Sequence, residues 1–198
     1  KSMSNIKQER TFIMIKPDGV KRGLTGEILR RIEQVNLKLI ALGMFQATEE
    51  QIDNHYPKDE KWINRLGEKT MKTYQKYGFD AKSELGTDDT LEIGQMVRGW
   101  LITYMTSAPV VKMVVEGIHA VDMVRKLAGD TIPAFADCGT IRGDFSVDSA
   151  ASANRDKRAI HNLVHASETP EEAGHEIGYW FAPEDINSYK RVEDDLML

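Results

Sequence analysis

The run Thr11-Phe12-Ile13-Met14-Ile15 stops at Lys16-Pro17-Asp18-Gly19. Five residues of high β-propensity read as a strand. Pro17 has no N–H to give to a ladder and Gly19 permits a tight turn, so the strand must end there. The period then changes. Ile28, Leu29, Ile32 and Val35 recur at helical spacing. Leu37 to Phe45 reads as a second strand, with Leu37, Leu39 and Ala41 on one face. Thr48-Glu49-Glu50-Gln51 is a capping-box pattern that opens a helix. Further on, a helix is expected at about 98–106 and a strand from Val110 to Val115. A helix at about 118–128 closes on Gly129, and Thr169-Pro170-Glu171-Glu172 opens the last one.

Strand, helix, strand, taken twice, is the split βαβ order of a ferredoxin-like sandwich. The expected fold is α+β: a βαββαβ order, a mostly antiparallel four-stranded sheet, and helices packed on one face. One domain is expected over residues 10–190, with two insertions. The first, at about 58–97, is polar and punctuated by Gly67, Gly78, Gly86 and Gly94. Trp62 and Leu66 lie four apart there, which predicts one short amphipathic helix, with too few large apolar residues for a separate core. The second, at about 148–158, is rich in Ala, Ser, Asp and Arg. Residues 1–9 are left out as a tail, with Met3 the expected natural start behind Lys1 and Ser2.

Composition excludes several classes. Hydrophobic residues at 41% and charged residues at 29% argue against disorder. No apolar run approaches the ~20 residues that span a bilayer, and no signal-peptide core is evident, so no membrane partner is expected. A net charge of -5 gives no reason to expect nucleic acid, although a few placed cations suffice for a phosphate ligand. Cys138 is the only cysteine, which removes any intrachain disulfide and favours a reducing, cytoplasmic location.

No P-loop, no G-x-G-x-x-G and no Cys/His metal cluster is present. The segment Asn162-Leu163-Val164-His165-Ala166-Ser167-Glu168 stands out instead. Its histidine lies among small and polar residues just before a helix, and a neutral imidazole is a competent nucleophile at pH 7. A single histidine is more often structural. Gly139-Thr140-Ile141-Arg142-Gly143-Asp144-Phe145 adds an arginine flanked by glycines, where backbone and guanidinium can both approach an anion; a solvated turn explains it equally well. Arg125 near a helix end can serve the helix dipole alone. Lys16 at a strand end can face a ligand or snorkel to solvent.

Taken together, these segments resemble the nucleoside diphosphate kinase family. The matching stretches are Thr11 to Val20, His55-Tyr56, Tyr104 to Val111, Gly139 to Phe145 and Asn162 to Ser167, in that order along roughly three quarters of the chain. The resemblance implies a transfer of the terminal phosphoryl group between nucleoside tri- and diphosphates, through a phosphohistidine, with broad base specificity. It implies that His165 is phosphorylated, that Glu176 holds its other nitrogen and that Ser167 supports the pair. It implies that Tyr56, Arg125, Thr131 and Arg142 hold phosphates, and that Lys16 and Asn162 bind the sugar, with Lys16 also reaching the phosphates and counting among the catalytic groups. Mg²⁺ is implied as a cofactor held by nucleotide phosphates and water, not by protein ligands, and a homo-oligomer is implied as the assembly. The family's base-stacking position falls near Val97, which is aliphatic here; Trp62 or Trp100 can contribute. Two other readings stay open: a regulatory relative that binds nucleotide without turnover, and a ferredoxin-like module unrelated to phosphotransfer.

Overall fold

The computed structural model describes residues 8–192. Its elements run β1 (Glu9–Ile15), α1 (Pro17–Lys21), α2 (Thr25–Gln34), β2 (Lys38–Phe45), α3 (Glu49–His55), α4 (Glu60–Tyr77), α5 (Ala81–Leu85), α6 (Thr90–Met105), β3 (Val110–Gly117), α7 (Ala120–Ala128), α8 (Ile141–Phe145), α9 (Ala150–Arg155), β4 (Val164–Ala166) and α10 (Pro170–Trp180). The strands form one sheet in the order β2-β3-β1-β4, with every pairing antiparallel. This is the expected α+β, ferredoxin-like arrangement.

The sheet is covered on both faces, not on one as expected. The two sides of β1 explain why. Ile13 and Ile15 pack with Ile28 and Ile32 of α2 and with Ala120, Val124 and Ala128 of α7. Phe12 and Met14 point the other way, against Ile52 of α3, Met105 of α6 and Trp180 of α10. A central strand buried on both faces loses the alternation that marks a half-exposed one. In β2 the register slips between Leu39 and Ala41. This bulge leaves Leu37 and Leu39 on the first side and sends both Ile40 and Ala41 to the second, so the three residues expected on one face do not share it.

The first insertion is far more ordered than a single short helix. It contains all of α4 and α5 and the first half of α6. Asp59 and Asp89 cap the two long helices by accepting from Trp62 N–H and from Leu91 and Glu92 N–H. Gly78, at φ +68°, closes α4 in a conformation that favours glycine. Tyr74, Ala81, Leu85 and Ile93 make a small buried cluster with Met71, Phe79, Met96, Val97 and Trp100 around it. The size of that cluster is hidden in sequence because its members are spread over three helices. The expected helix at 98–106 is the second half of α6, which begins at Thr90. The second insertion carries α9, and α4 packs on it, with the Arg155 guanidinium 4.8 Å from the Phe79 ring centroid. The two insertions therefore brace one another.

Helices α4 and α6 touch backbone to backbone. A Cβ on Gly67 would lie 1.7 Å from the Thr90 carbonyl oxygen, and one on Gly94 would lie 2.0 Å from that of Ile63. Neither neighbour is a side chain that can swing away. Gly67→Ala or Gly94→Ala should lower unfolding free energy by at least about 2 kcal/mol in urea titrations. Gly99→Ala, in the same helix with nothing within 4 Å, should be neutral or stabilising by up to about 1 kcal/mol. Equal effects at all three positions would rule out the close contact as the cause.

Candidate active site

Strand β4 is short and lies beside β1, with His165 opposite Met14. The residue before it in the strand's approach, Leu163, is fully buried and has φ +68°, a strained conformation for a branched side chain. Three contacts hold it. Its carbonyl accepts from the Lys16 N–H at 2.8 Å, its N–H donates to Asp18 Oδ2 at 3.1 Å, and the Tyr104 hydroxyl donates to the other Asp18 oxygen. Asp18 therefore has a positioning role at the root of β4. Sequence reading saw it only as a turn residue, and nothing in its local pattern distinguishes the two.

Arg142 ties the same segment down. It lies on α8, not in the glycine-flanked turn its sequence suggested. Its Nε donates to the Asn162 carbonyl at 3.0 Å, Nη1 to that of Gly129 at 2.7 Å and Nη2 to that of Val164 at 2.7 Å. Three of five N–H donors are used in this way, leaving two for a ligand. Asn162 accepts from Lys16 Nζ at 2.7 Å and donates to the Thr131 carbonyl at 2.9 Å. Thr131 itself is exposed. Arg125, with its side chain about half exposed at 46%, Thr131 and Arg142 line a small cleft of about 70 Å³ together with Ala128, Gly129 and Ala166. Ala166 follows His165 in β4, so the cleft and the histidine share that strand.

His165 Nε2 lies 2.6 Å from Glu176 Oε1, and the Ser167 hydroxyl donates to Glu176 Oε2 at 2.6 Å. A carboxylate accepts, so Nε2 carries the proton and the lone pair is left on Nδ1. Burial alone would raise the Glu176 carboxyl, but hydrogen bonding and charge from His165, with Ser167, hold it below the usual carboxylate range. Burial also pushes the Lys16 ammonium down to about 7, aided by repulsion from Arg142. Burial pushes the Arg142 guanidinium down to about 10. Lys16, Asn162 and Arg142 thus form one hydrogen-bonded group and His165, Glu176 and Ser167 another, both anchored on residues 162–167, with Arg125 and Thr131 beside the first.

Tyr56 approaches from another side through His55. The His55 and His165 rings stand edge to face with centroids 4.9 Å apart, and His55 and Tyr56 are 5.0 Å apart. His55 Nδ1 accepts from Trp180 Nε1 at 3.2 Å, and its Nε2 is buried with no partner. Trp62 stacks on Tyr56 at 6.0 Å and 26°. Val97 is half-buried in the cluster of the insertion. Its side chain is shared between that cluster and solvent. Among the described residues the one group of side chains that could ligate a metal is His55, His165 and Glu176, which belongs to this same site. The cleft around Arg125 and Arg142 offers phosphate contacts and no metal ligands.

An imidazole whose proton is held by a buried carboxylate, on a strand whose next residue lines a cleft with two arginines, defines a class: proteins equipped to handle an anionic ligand beside a histidine. Comparison with known proteins narrows the class. The family model described as nucleoside diphosphate kinase matches residues 9–68 and 94–186. The nucleoside diphosphate kinase of Pyrobaculum aerophilum is 47% identical over 178 residues, covering 90% of this chain and 97% of that protein. That of Archaeoglobus fulgidus is 37% identical over 187 residues, covering 94% and 95%. Among solved structures, an NDP kinase from Pyrobaculum aerophilum superposes with a TM-score of 0.89 at 45% identity, over 91% of this chain and all of that one. A nucleoside-diphosphate kinase from Borrelia burgdorferi, a transition-state mimic with bound vanadate and ADP, gives 0.80 at 33% identity, over 98% of each chain. The chain belongs to the nucleoside diphosphate kinase family and is a phosphotransferase. The stretch outside the family model, 69–93, falls inside the first insertion, whereas residues 148–158 fall inside the matched span.

The buried His55 makes stability depend on pH. Burial, with repulsion from His165, pushes its imidazolium down to about 3 from 6.5. Between those values the unfolded chain binds a proton that the folded chain refuses, so stability should fall as pH drops through that window. Urea midpoints measured from pH 7 to pH 4 should decline less steeply in His55→Gln than in the wild type. An unchanged slope would mean that His55 is charged in the folded protein.

Proposed function

We propose that His165 Nδ1 carries the phosphoryl group between a nucleoside triphosphate and a nucleoside diphosphate. The observation that carries this reading is the 2.6 Å contact of His165 Nε2 with Glu176, which leaves Nδ1 as the free nitrogen. Nδ1 attacks the γ-phosphorus in line. An N–P bond forms, the bond to the bridging oxygen breaks, and its electron pair leaves on the β-phosphate. Glu176 stabilises the positive charge that grows on the imidazole, and Ser167 keeps the carboxylate in place. Arg125, Arg142 and Thr131 hold the phosphates; Lys16 and Asn162 hold the sugar, with Lys16 reaching the phosphates; Tyr56 closes the site. The same steps run backwards with the acceptor.

The cleft lining fits a Mg²⁺ ion brought in on the nucleotide phosphates and water, where it supplies charge neutralisation. Trp62, stacked on Tyr56 at the mouth of α4, is the residue we assign to the base, in place of Val97. The chain acts as one domain over residues 10–190 carrying both insertions, in a homo-oligomer in the cytoplasm. No described helix is long and apolar enough to cross a membrane.

One set of phosphate cations cannot serve two nucleotides at once, so initial-rate plots at fixed acceptor levels should be parallel. Labelled triphosphate alone should leave acid-labile label on the wild type and none on His165→Ala, while Glu176→Gln labels slowly. Intersecting lines, or label retained in His165→Ala, would overturn the assignment.

Base discrimination should be weak, because a stacked indole meets every base through its π-face. Trp62→Ala should raise KM for adenine, guanine, cytosine and uracil diphosphates alike, by about tenfold, with kcat little changed. A preference beyond about 10³-fold for one base in the wild type would show a base-reading hydrogen bond instead.

A further inference from the structure

Helix α3 ends because Pro57 follows Tyr56. A residue before proline is pushed out of the helical region, and Tyr56 has φ -84° and ψ 140°. The last carbonyls of the helix are then left without intrahelical donors. Arg98, on α6, supplies a donor to one of them and to two carbonyls just beyond the helix end. Its Nη2 donates to the Asp53 carbonyl at 2.8 Å and to that of Tyr56 at 3.4 Å, and its Nε donates to that of Pro57 at 3.2 Å. Its Nη1 reaches Asp53 Oδ1 at 2.6 Å. The side chain is only 13% exposed. One planar guanidinium thus fastens four acceptors on the turn that presents His55 and Tyr56 to His165. A cation at this end also suits the helix dipole.

We infer that Arg98 is a positioning residue for nucleotide binding, acting through the backbone of the Asp53–Pro57 turn to fix Tyr56. This rests on the reading above, in which Tyr56 closes the nucleotide site. The geometry requires arginine. A lysine ammonium can keep the ion pair with Asp53 but has no rigid fork to span the three carbonyls. Arg98 touches no reacting atom, so its loss should appear in binding and not in chemistry.

The experiment compares Arg98→Met and Arg98→Lys with the wild type, each alone and combined with Tyr56→Ala. ADP affinity is read by titration calorimetry, KM and kcat by steady-state kinetics, and folding by thermal melts. Arg98→Met should weaken ADP binding and raise KM by about tenfold, with kcat changed less than threefold. Arg98→Lys should fall between it and the wild type. In the Tyr56→Ala background, Arg98→Met should add less than a twofold effect, because the route through Tyr56 is already gone. Should Arg98→Met fail to fold, Arg98→Lys carries the same comparison. Unchanged ADP affinity in a folded variant, a loss confined to kcat, or full additivity with Tyr56→Ala would each overturn the assignment. A wild type that binds ADP but never takes up label from a triphosphate would instead sink the kinase mechanism, and the ADP affinities would still decide the role of Arg98.

Discussion

The contact between His165 and Glu176 is the constraint on which the rest of the structure depends. A carboxylate only 4% exposed must have its lone pairs satisfied, since desolvating an unpaired charge costs several kcal/mol. The His165 N–H and the Ser167 O–H do this, one on each oxygen. The cost of burial is thereby converted into a fixed tautomer. Helix α10 brings the carboxylate there because Ala173, Glu176 and Trp180 form its buried stripe, packed on β1. Strand β4 brings the imidazole there because Leu163 is held in a strained turn by Asp18, Lys16 and, through Asp18, Tyr104. Loosening either element would move a proton donor away from its acceptor and free the ring to turn.

The legible part of this arrangement was local. The strand Thr11–Ile15, its stop at Pro17, the capping box of α3, the Thr169 cap of α10 and the Gly129 closure each depend on a few adjacent residues, and the structure bears them out; Glu172, expected to close a capping box on Thr169, accepts from the Glu168 N–H instead. The ferredoxin-like fold class followed from the alternation of elements. The site was legible in another way, through the resemblance of whole segments, because no single residue in it is distinctive. What escaped was whatever depends on distant partners. The double coverage of the sheet requires knowing that both sides of β1 meet helices. The bulge at Leu39–Ala41 requires the partner strand. Arg142 looked like a free cation in a turn, yet three backbone carbonyls from two other segments claim most of its donors. That Val97 packs against a cluster built from Tyr74, Leu85 and Ile93 could not be read from its own neighbours in the chain.

The insertions illustrate the same point at larger scale. Polar composition over 58–97 suggested a segment with little internal packing. In fact its glycines are contact points: Gly67 and Gly94 let two helices meet backbone to backbone, and Gly78 turns the chain. A cluster of few large side chains suffices because α4 and α6 exclude water between them without bulky residues. Their pairing also rests on Thr90, whose hydroxyl donates to Asn64 at 2.6 Å. The far side of α4 then packs on α9, next to the segment that leads into Asn162. An element added at the mouth of the site is in this way connected to both ends of it, through Arg98 on one side and α9 on the other.

The electrostatics explain why such a site should favour phosphate over base. Lys16 and Arg142 are both buried, repel one another, and are held below their ordinary ranges mainly by desolvation. A cation in that condition is under-compensated: the protein has removed its water without supplying a full counter-charge. Asp18 offsets part of it but is occupied by Tyr104 and the Leu163 N–H. A polyphosphate bound there as proposed would supply the missing charge, restore the charged form of Lys16 and draw a proton onto the protein above pH 7. The free energy gained this way depends on the phosphates alone. On the proposed reading the base stacks on Tyr56 and Trp62, rings that accept every base, whereas a base-reading polar group would be satisfied by one base and orphaned by another. Discrimination of the strong kind requires such a group. The breadth toward nucleotides proposed above would therefore follow from where the protein has placed its uncompensated charge.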